Sequence, residues 1–281
     1  MKTLITLLLF FVTSGFAISD GLPEGDFYPK TAEPSTETPD AEDKVKSKDF
    51  SFTVNPYLWM MGAAGTVGVP NTPSGYPKSV SFNETFADAV GNLKFAFMAG
   101  GRFKYKSVSL LYDIVYANLK AFDVANPSGK GLATGDVTLK EFITDLAIGY
   151  RIPSKSTTTF VDVYAGTRIW AMDQEITLDP VDPNLQTRML SNSNSWIDPV
   201  VGVKADFTMA KDWFTYVKMD FGGFGANSDW TLMALAGCGY KFNQNWNTSL
   251  GIKYLGLEYN KDDLYLNVDE YGLALTLGYW Y

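Results

Sequence analysis

Acid–base chemistry needs carboxyl groups held close together on one surface, and this chain offers two such pairs. Glu141 and Asp145 are four residues apart, and Asp198 and Asp206 are eight apart. Even spacings place each pair on one face of an extended strand. Lys204 and other bases stand nearby, so the pattern reads as a salt-bridged surface rather than a working acid–base dyad. The 281 residues include no histidine. Its absence removes Ser-His-Asp, Cys-His and Asp-His catalysis and most zinc chemistry. The single cysteine, Cys238, alternates with Ala234, Ala236 and Tyr240 and reads as a small apolar strand residue, not a reactive thiol. One cysteine also excludes an internal disulfide. No enzyme activity, metal or cofactor is expected.

Long strands must carry these residues. From Phe50 onward the apolar pattern has period 2, and ten strands are expected at roughly 50–63, 93–104, 107–120, 136–152, 158–175, 195–208, 212–224, 229–242, 246–259 and 266–281. Each exceeds the about 5–6 residues usual in soluble sheets and meets the about 9–11 that a tilted strand needs to cross a bilayer. Sorting by parity gives one apolar face, with Phe95, Phe97, Leu110, Ile148, Ile197, Phe221, Leu250 and Ile252 among its members. The other face carries Lys94, Arg102, Asp113, Glu141, Asp145, Arg151, Asp162, Arg168, Asp198, Lys204, Asp206, Lys218, Asp220, Lys241, Lys253 and Glu270, eight bases and eight acids.

A soluble barrel would turn the apolar face inward, and a membrane barrel would turn it out to lipid. Three features favour lipid. Glycines recur on the charged face (Gly149, Gly166, Gly202, Gly251 among them), where small residues help a crowded interior and weaken a strand facing water. Aromatics such as Phe103, Trp213, Phe242, Trp246 and Tyr281 gather near strand ends, as in interfacial girdles. The inner charges balance, as a confined space requires.

The connections alternate in length. Tyr105–Ser107, Pro153–Ser156, Ala210–Lys211 and Asn243–Asn245 are short polar turns, separated by longer links at 64–92, 121–135, 176–194 and 260–265 and a short one near Ala226–Ser228. Short periplasmic turns opposite longer external loops are the arrangement of a transmembrane barrel. Residues 1–17, with Lys2, an apolar stretch from Leu4 to Val12 and small residues up to Ala17, read as a secretory signal peptide. Residues 18–49 hold nine acids and four lysines with few large apolar groups, and read as a disordered acidic periplasmic leader. Residues 50–281 are then the barrel. The net charge of −8 lies largely in that leader, and no nucleic-acid partner is expected.

The chain resembles the small outer-membrane β-barrel proteins of Gram-negative bacteria, porin-like or OmpW-like in architecture. The resemblance rests on the signal peptide, the alternating hairpins and the final strand Leu273–Tyr281, in which Leu275, Leu277 and Tyr279 lead to a terminal Tyr281. That ending is similar to the signal read by the outer-membrane barrel assembly machinery. The resemblance implies an all-β, closed antiparallel transmembrane barrel of about ten strands, with eight or twelve fitting the same pattern. It implies location in the bacterial outer membrane, with lipid and lipopolysaccharide as surroundings, and leaves the oligomeric state open. Ten strands lie near the size at which side chains fill a barrel. The expected activity is a narrow pore for ions or small solutes, its path lined by the sixteen charges. The alternative is a filled structural or surface-recognition barrel acting through its external loops. Among those loops, Ser81–Val90 has the apolar spacing of a short helix, and the Gly-rich 124–135 lacks the context of a phosphate loop.

Overall fold

The computed structural model describes residues 49–68, 79–121, 133–180, 184, 186–261 and 264–281. The segments expected to be a signal peptide and, as far as residue 48, an acidic leader lie outside them, as does the Gly-rich segment up to residue 132.

Eleven strands form one antiparallel sheet: β1 (Phe50–Gly68), β2 (Ser79–Glu84), β3 (Leu93–Tyr105), β4 (Val108–Ala121), β5 (Ala133–Arg151), β6 (Thr159–Pro180), β7 (Arg188–Thr208), β8 (Trp213–Gly222), β9 (Trp230–Lys241), β10 (Trp246–Lys261) and β11 (Leu264–Trp280). Apart from β2, neighbours in sequence are neighbours in the sheet, and β11 closes on β1 from Thr53↔Trp280 to Val67↔Leu266. The seam runs to the last residue, because Phe52 and Tyr281 exchange both backbone hydrogen bonds at 3.1 and 3.0 Å. Ten strands therefore make a closed transmembrane barrel, which leaves no open edge in hydrocarbon. The eleventh, β2, is a flap. It pairs with the upper part of β1 (Ala63↔Glu84 to Gly68↔Ser79), on the edge that β3 occupies lower down.

The short turns fall where the polar residues stand. Lys106 takes a left-handed φ of 54° between β3 and β4. Asn243 Oδ1 accepts from the backbone N–H groups of Asn245 and Trp246 at 2.8 and 2.9 Å, and Ser156 Oγ accepts from Thr159 N at 2.9 Å. Such side-chain caps satisfy turn amides that no ladder reaches.

The other end of the barrel departs from the sequence expectation in three places, one of them the link expected at 260–265, where β10 and β11 pair as far as Lys261↔Leu264. The helix expected at Ser81–Val90 is divided between β2 and α1 (Phe86–Asn92). Thr85 caps the helix, its hydroxyl accepting from Asp88 N while Asp88 Oδ2 accepts from Thr85 N at 3.1 Å. The Thr85 hydrogen bonds hold the Asp88 carboxyl below its ordinary pKa. The expected link at 176–194 is mostly strand, since β6 and β7 pair without interruption from Thr159↔Phe207 to Leu178↔Arg188. By contrast β8 is short, and its pairing with β7 stops at Val200↔Gly222. The next residue of β7 is Pro199, which has no N–H to give to a further strand. The β6–β7 hairpin thus stands above β8.

Parity sorts the side chains as expected. Phe95, Phe97, Ile148, Ile197, Leu250 and Ile252 point outward, and so do the girdle residues Phe103, Trp213, Phe242, Trp246 and Tyr281. Ile252, 63% exposed, lies six residues along β10 from Trp246. Its replacement by arginine separates the two solvents: about 2–4 kcal/mol of lost stability is expected for a lipid-facing midplane site. Urea unfolding of the protein in phospholipid vesicles measures it. No loss would place that face in water.

Candidate functional site

Inward-pointing residues at the short-turn end build a salt-bridged floor. Asp162 on β6 receives Arg151 from β5 through two bonds (Nε to Oδ1 2.9 Å, Nη2 to Oδ2 3.0 Å) and Arg102 from β3 at 3.0 Å. The Lys204 ammonium is paired with Asp206 two residues along β7. Lys241 lies 5.2 Å from the centre of the Trp280 ring, which in turn packs against Phe214.

The next level is a belt centred on Arg168, whose side chain is 1% exposed. Its Nε and Nη2 hold Asp145 of β5 at 2.7 and 2.8 Å, Nη2 reaches Asp220 of β8 at 3.0 Å, and Nη1 reaches Thr231 of β9 at 3.0 Å. Tyr164 donates its hydroxyl hydrogen bond to Asp220 at 2.9 Å. The Tyr164 ring lies over Gly202, where a Cβ would sit 2.4 Å from the ring, so no larger residue fits beneath it. Lys218 stands 5.5 Å from the centre of that ring. On the far wall, Lys253 donates to Tyr57 Oη at 2.8 Å and to Asp113 at 3.3 Å, while Tyr57 donates to Asp113 at 2.8 Å. Planar guanidinium forks suit such buried carboxylates.

Above the belt sits a carboxylate with no basic partner among the described residues. Asp198 is 0% exposed and accepts from four neutral donors: the indole N–H groups of Trp170 and Trp196 at 3.0 Å each, and Ser228 N and Oγ at 2.9 and 2.5 Å. Ser228 belongs to the connection between β8 and β9, so Asp198 ties that connection down onto the taller β7. Asn227 adds a bond to Ile197 O at 2.7 Å, and Gly223 N donates to Pro199 O at 3.1 Å. Trp170 stacks on Trp196 with ring centres 5.7 Å apart, and Trp196 meets the Tyr259 ring at a tilt with centres 4.2 Å apart.

The level nearest the long connections is apolar. Met61, Met98, Val115, Ile143, Met172, Met233, Leu255, Leu257, Leu264 and Leu266 are buried together there, and part of the space between them is a cavity. Two of the expected charged residues line it: Glu141 and Glu270, 1% and 4% exposed. Their carboxyl groups come within hydrogen-bonding reach of each other. In each, Oε2 is buried with no partner among the described residues.

Of the sixteen charged residues singled out in the sequence, fifteen share the inward parity and occupy these levels. Lys94 is exposed at the start of β3, where the β3–β4 register shifts between Leu93 and Phe95. Sequence reasoning missed Tyr57, Tyr164, Trp170, Trp196 and Ser228 as partners of the charges, and it missed the apolar inner face entirely. The signal was present: carrying the inward parity upward along each strand arrives at Met61, Met98, Ile143, Met172 and Leu257. Leu275, Leu277 and Tyr281 of the final strand are exposed on the outer face, and the Tyr281 ring stacks on Phe52 at 5.3 Å.

No protein-family model matches the chain, and no curated protein sequence does. Among solved structures it is similar to the outer membrane protease OmpT from Escherichia coli, with a TM-score of 0.51 at 11% identity over 84% of this chain and 97% of that one. The translocator domain of the autotransporter NalP from Neisseria meningitidis aligns at 0.39 and 11% identity, over 84% and 90% of the two chains. The attachment invasion locus protein Ail of Yersinia pestis aligns at 0.31 and 12%, over 83% and 98%. The first of these likenesses shows the fold, that of the outer-membrane β-barrels.

Proposed function

We propose that this chain is exported by its N-terminal segment to the bacterial outer membrane, where it works at its outer mouth and not as a passage. The reading starts from a transmembrane barrel whose section is bridged by ion pairs. Arg168 carries it: buried, and tied at once to β5, β8 and β9, it holds side chains across the lumen. A solute would have to part those contacts, and breaking a buried pair is costly.

The narrow pore expected from the charged lining is the second reading, and the mixed charges would line such a path if the belt opened. No enzymatic role is proposed, on the ground that the sequence has no histidine. Lipopolysaccharide and lipid are proposed as surroundings of the outer band, and the assembly machinery as the reader of the last strand.

Single-channel current across a planar bilayer tests the choice, using mature protein whose heat-modifiable gel mobility shows it folded. The expected result is a bilayer without discrete steps. Steps that change on substitution of Arg168 would overturn the proposal in favour of the pore.

A further inference from the structure

We propose that the apolar cavity at the outer end of the barrel is a binding site for a small hydrocarbon or aryl group bearing a protonated amine. The inference deepens the reading of a barrel that works at its mouth, and rests on it.

The cavity has a volume of about 80 Å³, more than the about 10–15 Å³ needed to hold one water. Its walls are apolar for the most part, with Leu139, Met172, Leu257 and Leu266 drawn from four strands. An apolar body therefore gains by entering. Among the described residues, the polar members of the lining are Glu84, Glu141, Gln174 and Glu270, with no base, and the argument for a ligand rests on Glu141 and Glu270.

The acids are what make this a site rather than a packing defect. Glu141 and Glu270 both line the cavity, and each has one oxygen, Oε2, buried and without a partner among the described residues. Buried acceptors without donors are rare in folded proteins and call for an explanation. Lys253, the nearby base, is already engaged by Tyr57 and Asp113 and lies 4.7 Å from the centre of the Trp59 ring. The two carboxyl groups can share one proton between them, which leaves an Oε2 still open to a donor from a ligand. An ammonium supplies three donors and the complementary charge, and Trp170 and Phe82 add aromatic walls of the kind that favour cations. A carboxylate ligand would meet acceptors only, and an alcohol would satisfy one oxygen and no charge.

The test is equilibrium binding of 2-phenylethylammonium to the refolded mature protein in lipid nanodiscs, by calorimetry and tryptophan fluorescence. 2-Phenylethanol and 3-phenylpropanoate are the neutral and anionic controls. Saturable binding of the ammonium is expected, at least tenfold tighter than the alcohol, with none for the anion. Glu141→Gln and Glu270→Gln should each weaken it tenfold or more, with heat-modifiable mobility retained. Leu257→Trp, which fills the cavity and leaves the acids intact, should abolish it. Equal binding of the three compounds, ammonium binding insensitive to both glutamine variants, or no ammonium binding would overturn the inference. Bilayer recordings on the same preparation separate the two readings. No ammonium binding with a silent bilayer defeats this inference alone, while current steps defeat the closed-lumen reading on which it rests.

Discussion

Replacing Arg168 with methionine is expected to cost about 3–5 kcal/mol of stability, enough to lower the urea midpoint of the folded barrel well outside error. The reason is the company that Arg168 keeps. Its guanidinium satisfies Asp145 through two bonds, Asp220 through one and the Thr231 hydroxyl through another, and almost none of it is exposed. Methionine fills a similar volume but leaves two carboxylates facing each other without a cation. Removing one member of a buried ion pair is much worse than removing all of them. The triple variant Arg168→Met, Asp145→Asn, Asp220→Asn should therefore recover most of the loss. Unfolding in phospholipid vesicles, followed by gel mobility, measures both. An unchanged midpoint in the single variant would mean that water reaches the belt and screens it.

Asp198→Ala should produce the second large loss, of a different kind. Asp198 takes part in no ion pair among the described residues; it is the common acceptor for two indoles, a backbone amide and a serine hydroxyl. Alanine would strand those donors, each buried unsatisfied group costing about 1–3 kcal/mol. Trp196 keeps one alternative, since its N–H also reaches Ser228 Oγ at 2.9 Å, so the full sum is not expected. The readout is local as well as global. The 223–229 connection should become a site of limited proteolysis, and the emission of Trp170 and Trp196 should shift to the red as water enters. Protease resistance equal to that of the native protein would show that the connection is held by Asn227 and Gly223 and not by the carboxylate.

The two variants also show what reading the chain could and could not supply. The alternation of Arg168 with Ile169, or of Ile197 with Asp198, announces two faces, and the aromatics and short polar turns say which ends meet an interface. A period of two is a property of every strand, and it survives any closure of the sheet. Extent was harder to read. Residues 176–194 include Asp179, Asn192 and Ser193 and look like a loop. Beyond the bilayer, however, a hairpin needs only its backbone hydrogen bonds, which side-chain polarity does not report.

Partnership was harder still. Parity puts Asp162 and Arg102 on the same face but says nothing of their meeting, because they stand on β6 and β3 and approach only once the sheet closes. Glu141 and Glu270 lie on strands far apart in the chain and come together in the same way.

Local periodicity was enough to dictate an all-β chain of long alternating strands, with one face for lipid and one for an interior of balanced charge. Which charges pair, that neutral donors hold Asp198, and that the interior changes from ionic to apolar along its height emerge with closure of the barrel. Those are properties of a closed ring, in which a residue's neighbours across the lumen are chosen by register and curvature and not by distance along the chain.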